Sequence, residues 1–183
     1  MTSYALAGKK AVITGASGGI GFAIASRFAK EGAHVVLAGR TRSKLEQSLA
    51  KLHETTGGPQ GLQIPQLHGI HCLDVGEGKE WEGLVKENEI DYLVNCAGES
   101  QSSLLLRTSQ EAIQNLLASN LRGVIFGCKT VAKQMAARRR GGCIINISSL
   151  LAHKAVIGTS VYAATKAGQL GMAAPLFHLQ LLL

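Results

Sequence analysis

Two side chains with complementary chemistry lie four residues apart near the end of the chain. Tyr162 and Lys166 occupy the run Ser-Val-Tyr-Ala-Ala-Thr-Lys, and a helical spacing of four places both on one face. A tyrosine phenol ordinarily has a pKa of about 10, and a cation one helical turn away favours its phenolate. We therefore expect this phenol to donate a proton to a carbonyl oxygen near neutral pH.

Ser149 and Asn120 could complete this arrangement. Ser149 follows the apolar run 144–147, and we expect its hydroxyl to hydrogen-bond the same carbonyl oxygen and orient it. Asn120 lies within a long helical pattern, and we expect it to interrupt that helix and hold a water near the lysine. A Tyr/Lys pair at helical spacing is usually just two exposed side chains without a catalytic role. The prediction therefore depends on the pair occurring together with Ser149 and Asn120.

A glycine-rich turn lies near the start of the chain, where Thr-Gly-Ala-Ser-Gly-Gly-Ile-Gly follows an apolar strand and opens a helix. Glycines let the backbone approach a pyrophosphate, and the helix N-terminus then binds the anion. The alternative is a glycine-rich turn without a ligand. A P-loop is disfavoured because no Gly-Lys-Ser/Thr closes the turn. The predicted dinucleotide contacts in this turn are Gly15, Ser17, Gly18, Gly19, Ile20 and Gly21.

Two charged residues follow the next predicted strands. Arg40 stands where many dinucleotide folds carry an acid, so its guanidinium would meet a 2′-phosphate and favour NADP over NAD. The alternative is a solvated arginine at a helix start. Asp74, followed by Val75, could accept a hydrogen bond from the adenine amino group or cap the next turn.

Short apolar runs alternate with longer helical patterns along the chain. Strands are predicted at 10–14, 35–38, 70–73, 92–95 and 143–147. Helices are predicted at 22–29, 42–54, 77–88 and 109–140, the last interrupted near 120–123, and another begins at 162; a loop containing Pro59 and Pro65 covers 55–69. This alternation implies parallel strands joined by right-handed crossovers. We predict an α/β fold, a three-layer αβα doubly wound parallel sheet of the Rossmann type, with ligands at the carboxyl ends of the strands.

Composition narrows the class of protein. The chain has 183 residues, 46% hydrophobic and 17% charged, which suits one domain with a sizeable core. Its net charge of +7 could serve nucleic acid, but aromatics are only 4% and the basic residues are scattered. The one cluster, 138–140, is expected to complement a helix C-terminus. We therefore expect no nucleic-acid partner.

Cysteine usage and the termini suggest a compartment. Four cysteines lack metal-site spacing, so we expect buried free thiols, no metal and a reducing environment. The first ten residues lack signal or transit patterns, and no apolar run approaches the roughly 20 residues of a membrane span. The expected location is the cytoplasm or the mitochondrial matrix.

The chain strongly resembles the short-chain dehydrogenase/reductase family. Several motifs at family positions carry the resemblance: residues 14–21, Asp74-Val75, Asn95-Cys96-Ala97-Gly98, 120–123, 145–149 and 162–168. Residues 104–108 and 162–168 are most similar to 3-oxoacyl-(acyl-carrier-protein) reductases and the related carbonyl reductase subunit. The resemblance implies NADPH-dependent reduction of a 3-oxoacyl thioester, as in fatty acid biosynthesis, or of a quinone-like carbonyl, by an oligomer.

The resemblance also implies roles. Tyr162 would be the acid, Lys166 the phenolate stabiliser and ribose ligand, Ser149 the oxygen holder and Asn120 the anchor of a proton relay. Further cofactor contacts at family positions are Val75, Asn95, Ala97 and Gly98.

Three departures from the family pattern stand out. Cys96 replaces an asparagine often found there, and Gly18 replaces a frequent arginine, so Arg40 must supply more of the NADP preference. Beyond Gly171 the resemblance ends, before the family's sixth strand, substrate-covering segment and seventh strand. Pro175 is expected to kink or end the helix, and 176–183 is an apolar tail.

These departures lead to two expectations about the whole chain. We expect 1–174 to form an incomplete dinucleotide-binding domain that lacks the usual last strands, with 175–183 as a tail and the fifth strand as an unpaired edge. The alternative to a working reductase is a truncated paralogue that binds dinucleotide, or pairs with full-length subunits, without catalysis.

Overall fold

Five parallel strands form one sheet in the order β3-β2-β1-β4-β5 within the part of the chain that the structure describes. The structure is a computed structural model that describes residues 4–56, 67–154 and 156–179. The strands are β1 Lys10–Thr14, β2 His34–Gly39, β3 Gly69–Cys72, β4 Tyr92–Asn95 and β5 Cys143–Asn146. The strand order reverses between β1 and β4, so a crevice opens there at the carboxyl ends of the strands.

Helices cover both faces of the sheet. They are α1 Gly19–Lys30, α2 Arg42–Thr56, α3 Gly78–Glu87, α4 Gln110–Leu117, α5 Gly123–Arg138 and α6 Ser160–Leu179. Short 3₁₀ turns occupy Leu105–Arg107 and Leu150–Ala152, and a π-helical segment, Ala118–Arg122, joins α4 to α5. The predicted three-layer doubly wound sheet is confirmed. None of the helices in the described residues is long and apolar enough to cross a membrane.

Alternation along each strand divides the core in two. In β1, Ile13 packs into a cluster with residues of α1 and α2, whereas Val12 packs into a second cluster with residues of α3 and α5. Val35 and Val36 of β2 divide in the same way. Both faces of the central strands are therefore apolar, which is why these strands read as continuous hydrophobic runs.

Of the two outcomes predicted at Pro175, a kink or an end of the helix, the end is wrong. Helix α6 runs without a break from Ser160 to Leu179 and includes that proline. The fixed φ of a proline, about −65°, is compatible with a helix, and the missing N–H removes only one backbone bond, to the carbonyl of Gly171.

The prediction of buried thiols is wrong for two of the four free cysteines. Cys128 is buried and Cys96 is half-buried, but Cys72 and Cys143 are exposed. The exposed pair lies on β3 and β5, the two edges of the sheet, where one side of the strand has no neighbouring strand among the described residues. Apolar sequence surroundings do not distinguish an edge strand from a central one.

The remaining element boundaries agree with the predictions within a few residues. The helical interruption near Asn120 is present as the π-helical segment, and α5 ends at Arg138, followed by Arg139 in the left-handed region (φ 52°). The predicted loop 55–69 falls mostly on residues 57–66, so Pro59 and Pro65 lie outside the described residues. β5 pairs only with β4 in the described part of the chain, as expected of an edge.

Candidate active site

Helix α6 presents Tyr162 and Lys166 at the carboxyl edge of the sheet. Nζ of Lys166 lies 5.8 Å from the centroid of the Tyr162 ring. The lysine is only 5% exposed, and its Nζ donates to the carbonyl oxygen of Ile147, just beyond β5, over 2.7 Å. Burial lowers the pKa of Lys166 below its ordinary value, and the charge of nearby Cys96 opposes this shift. The ammonium is thus fixed beside the phenol by a backbone acceptor.

Asn120 is fully buried in the π-helical segment between α4 and α5. Its Oδ1 accepts from the backbone N–H of Glu99 over 2.7 Å, and its Nδ2 donates to the carbonyl of Glu99 over 2.8 Å. The same Nδ2 also donates to Oγ1 of Thr165 over 3.3 Å. Asn120 therefore holds the segment after β4 against the helix that carries Tyr162.

Gly98 lies close to the side chains of both Asn120 and Lys166. A Cβ added at this position would be 3.0 Å from Oδ1 of Asn120 and 3.7 Å from Nζ of Lys166. A larger residue would therefore press on both side chains. The structure brings Asn120, Lys166 and Gly98 together, as the predicted site requires, whereas the water-holding role of Asn120 stays a prediction.

Ser149 lies three residues after the end of β5 and is the N-cap of the 3₁₀ turn Leu150–Ala152. Its Oγ accepts from the backbone N–H of Leu151 over 3.2 Å, so the hydroxyl keeps its proton for donation. The neighbouring Ser148, which the sequence analysis did not single out, donates from Oγ to the carbonyl of Lys166 over 2.9 Å. This bond ties the end of β5 to α6 and thus joins the two elements that supply Ser149 and Tyr162.

Two glutamines support the site without any signal in the sequence. Nε2 of Gln169 donates to the carbonyl of Asn120 over 2.6 Å. Oε1 of Gln101 accepts from the backbone N–H groups of Val161 and Tyr162. These contacts join residues 49 to 61 positions apart, and a glutamine has no periodicity or motif that would indicate such a partner.

The glycine-rich turn between β1 and α1 is tightly packed at its two ends. Gly15 has φ 67°, and a Cβ there would lie 2.8 Å from Cα of Ala97. A Cβ on Gly21 would lie 2.5 Å from the carbonyl oxygen of Gly15. By contrast, Gly18 and Gly19 face open space. The turn is therefore packed against backbone atoms at its ends and open at its middle, where backbone atoms are accessible.

The first turn of α1 has neither a side-chain cap nor an acidic residue that would compete with an anion. Gly18, its N-cap, provides no side-chain cap, and the first turn contains no acidic residue. Its backbone N–H groups can therefore bind a phosphate. Ser17 and Ile20 are exposed beside this turn.

The segment after β4 is fixed against β1. Oγ1 of Thr14 accepts from the N–H groups of Cys96 and Ala97, each over 3.0 Å. Asn95 is buried and donates from Nδ2 to Oδ1 of Asn146 over 2.8 Å. Asn95 thus links β4 to β5, while Ala97 and Gly98 border the crevice.

Arg40 and Asp74 both have local partners. Arg40 is exposed, and its Nη2 lies 2.9 Å from Oε1 of Glu99, which follows Gly98. Oδ1 of Asp74 accepts from the N–H of Gly76 over 2.9 Å, which is the turn-capping alternative. Val75 is 8% exposed and packs in the core. Contacts of these residues with adenosine stay predictions.

Exposed apolar side chains occur in two segments, one of which lies between Ser149 and Tyr162 in the sequence. They lie in two segments that follow β4 and β5, and we call them the apolar rim: Leu104, Leu105, Leu106, Leu150, Val156 and Ile157. Leu106 is 98% exposed and Ile157 is 90% exposed. A Cβ added at Gly158 would lie 3.8 Å from Cδ2 of Leu104, so the two segments meet. Among the described residues, no group of three or more His, Cys, Asp or Glu side chains is arranged to hold a metal ion.

Comparison with known proteins gives a consistent result. A family model described as short chain dehydrogenase matches residues 9–178. The chain is 34% identical, over 166 residues, to 3-oxoacyl-(acyl-carrier-protein) reductase FabG of Chlamydia trachomatis, covering 91% of this chain and 65% of the relative. It is 38% identical, over 168 residues, to carbonyl reductase family member 4 of Xenopus laevis, covering 89% and 65%.

Solved structures of similar sequence share the fold of this chain. A short chain dehydrogenase from Bacillus anthracis is 30% identical, with a TM-score of 0.80 and coverage of 90% of this chain and 66% of that one. A structure from Agrobacterium tumefaciens with bound NADP, described as a candidate 2-deoxy-D-gluconate 3-dehydrogenase, is 28% identical with a TM-score of 0.81; coverage is 94% and 65%. The chain thus spans about 65% of the length of the curated relatives it matches.

Proposed function

The chain belongs to the short-chain dehydrogenase family of oxidoreductases, and we propose that it reduces a carbonyl group with NADPH, with a 3-oxoacyl thioester as the favoured substrate class. The observation that carries the proposal is the buried Lys166 ammonium, fixed 5.8 Å from the Tyr162 ring by the carbonyl of Ile147. A fixed cation beside a phenol favours proton donation from that phenol.

The proposed chemistry is a proton transfer from Tyr162 to the substrate. The phenolic O–H bond breaks, and a new O–H bond forms on the former carbonyl oxygen. When bound in the crevice, a reduced dinucleotide would supply the hydride for the carbonyl carbon, and the residues of this chain would hold and orient the two reactants. Lys166 stabilises the phenolate that remains, while the Ser149 hydroxyl donates to the same substrate oxygen and orients it.

The residues of the crevice fit a dinucleotide. The uncapped N-terminus of α1 and the open backbone at Gly18 and Gly19 would hold the pyrophosphate. The predicted contacts at Asp74, Val75, Asn95, Ala97 and Gly98 would border the adenosine, and Lys166 would also reach a ribose hydroxyl.

Arg40 supports a preference for NADPH. Its guanidinium stands at the end of β2, where a 2′-phosphate is expected, and the related structure from Agrobacterium tumefaciens contains NADP. We expect Arg40→Ala to weaken NADPH binding about tenfold, the scale of one charge-assisted pair, with little change for NADH. Fluorescence titration of both cofactors measures this, with Arg42→Ala on α2 as the matched control. Equal losses for both cofactors would contradict the assignment of Arg40.

The apolar rim supports an acyl substrate. Its side chains are exposed in the segment between Ser149 and Tyr162 and in the segment that meets it at Leu104, and burial of an acyl chain would remove their apolar surface from water, worth about 25 cal/mol per Å². The relative from Chlamydia trachomatis is itself a 3-oxoacyl reductase by name. The substrate would be a small or carrier-bound carbonyl compound, and the free thiols suit the cytoplasm or the mitochondrial matrix.

A second candidate function is a non-catalytic dinucleotide-binding or subunit-pairing protein. It is favoured by the one-sided pairing of β5 in the described residues. In this case residues 1–174 would act as an incomplete domain within a homo- or hetero-oligomer.

One experiment separates the two candidates. Oxidation of NADPH by the purified protein is followed through the loss of NADPH absorbance, with acetoacetyl-coenzyme A as substrate. The Tyr162→Phe variant is measured in the same way. Turnover that the phenylalanine variant loses supports the reductase. Folded protein that binds NADPH without turnover would instead favour the non-catalytic candidate.

A further inference from the structure

Gln101 contacts the first turn of α6 from the segment that follows β4. Its Oε1 accepts from the backbone N–H of Val161 over 2.9 Å and from that of Tyr162 over 3.2 Å. The first N–H groups of a helix have no partner within the helix, so an outside acceptor fixes its start. We propose that Gln101 is a positioning residue that holds the first turn of α6, and with it Tyr162, in place for proton transfer.

The other end of the same amide binds the two residues that flank the first part of the apolar rim, Leu104 to Leu106. Nε2 of Gln101 donates to the carbonyl of Ser103 over 2.8 Å and to Oγ1 of Thr108 over 3.3 Å. Oγ1 of Thr108 in turn donates to the carbonyl of Leu104 over 2.9 Å. These bonds bracket the 3₁₀ turn Leu105–Arg107. One side chain therefore connects the segment that would meet the substrate with the turn that carries the proton donor.

The chemistry of an amide explains why this position holds a glutamine. The side chain must accept twice from backbone N–H groups and donate to a carbonyl and a hydroxyl. A glutamate could still accept from Val161 and Tyr162, and its charge suits a helix N-terminus, but it cannot donate to the carbonyl of Ser103. A methionine has a similar length and offers neither set of bonds.

The inference rests on the proposed reductase function, and its test therefore includes a measurement that does not depend on activity. The experiment compares four proteins: wild type, Gln101→Glu, Gln101→Met and the control Gln114→Met. Gln114 is an exposed glutamine on α4. For each protein, kcat and KM are measured with 3-oxoacyl thioesters, and amide hydrogen exchange is measured at Val161 and Tyr162.

The variants should separate the two ends of the amide. We expect Gln101→Met to lower kcat and to speed exchange of the two amides, each about tenfold, the scale of one unpaired backbone donor. Gln101→Glu should keep kcat and amide protection within about threefold of wild type but raise KM by about the same factor, because Ser103 and Thr108, which flank Leu104 to Leu106, lose their donor. Gln114→Met should change none of these quantities.

Three outcomes would overturn the proposal. The first is a Gln101→Met protein with wild-type kcat and wild-type amide protection. The second is faster exchange with unchanged kcat, which would make the residue merely structural. The third is a Gln101→Glu protein as impaired in kcat as the methionine variant. If wild type shows no turnover, the reductase proposal fails and the role of Gln101 in proton transfer fails with it. Amide exchange then tests only whether Gln101 holds the first turn of α6: faster exchange in the methionine but not the glutamate variant supports this contact, and equal exchange overturns it.

Discussion

The burial of Lys166, which the proposed reaction uses, lowers the stability of the folded protein. Its pKa is lowered by burial, which means that folding disfavours the ammonium form. Between the lowered pKa and that of an exposed lysine, the unfolded chain binds more protons than the folded one. Stability from this group therefore rises as pH increases through that window, and the cost is fully present below it. The hydrogen bond to Ile147 offsets part of the cost.

Replacement of Lys166 by methionine should therefore separate activity from stability. We expect Lys166→Met to lower kcat by about 10² or more, because the phenolate loses its cation, while urea unfolding at pH 7 shows equal or higher stability. In wild type, kcat should decline on the alkaline side at a pH below the ordinary pKa of lysine. A variant that unfolds about 2 kcal/mol more easily than wild type would show that the lysine mainly stabilises the fold.

We expect the contact between β2 and the residue that precedes β3, His68, to be sensitive to acid. Nδ1 of His68 accepts from the N–H of Val35 over 3.2 Å, which requires a neutral ring. Desolvation lowers the pKa of His68 from 6.5 to about 4, with smaller contributions from the charges of His53 and His34. The unfolded chain thus binds a proton at a higher pH than the folded chain. Stability from this group is lost as pH falls from about 6.5 towards 4.

We expect the acid sensitivity to diminish in His68→Gln. The difference in unfolding free energy between pH 7 and pH 4.5 should shrink by about 1–2 kcal/mol relative to wild type, allowing for solvent screening. Urea titrations at both pH values measure it, and the exposed His153→Gln is the control. An unchanged difference in the His68 variant would assign the acid sensitivity to other groups.

Helix α5 approaches the sheet closely because of a glycine. A Cβ on Gly127 would lie 2.6 Å from the Trp81 ring and 2.8 Å from Oδ1 of Asn95. We expect Gly127→Ala to destabilise the protein by about 1–3 kcal/mol through overpacking. The matched change Gly83→Ala, on α3 with nothing within 4 Å of the added Cβ, should instead stabilise by about 0.5–1 kcal/mol. Thermal unfolding of both variants measures the contrast, and a stabilising Gly127→Ala would mean that Trp81 moves freely.

The sequence predicted elements where one signal dominates. The strands were found because both faces of a parallel sheet are apolar, and the interruption at Asn120 because a polar residue falls within a helical pattern. Pro175 was misjudged because its local cost does not outweigh the rest of α6. The roles of Gln101 and Gln169, and the edge positions of Cys72 and Cys143, depend on tertiary neighbours that no local pattern encodes.

We predict that copies of this chain associate through the outer side of β5, the strand at one edge of the sheet in the described residues. In the described residues β5 pairs only with β4, and Ile145 on this strand is 37% exposed. An unpaired strand with an apolar side chain is a template for pairing with another chain, and a lysine blocks such pairing. Ile125 on α5 is 41% exposed and offers a second apolar surface of another kind.

Ile145→Lys and Ile125→Lys distinguish strand-edge association from helix-face association. If copies meet through β5, Ile145→Lys should lower the sedimentation coefficient at high protein concentration, whereas Ile125→Lys should behave as wild type. The free energy of unfolding should change by only about 0.5 kcal/mol in both variants, because both positions are exposed. Dissociation caused by Ile125→Lys alone would contradict pairing through β5 and place the contact on the helical layer.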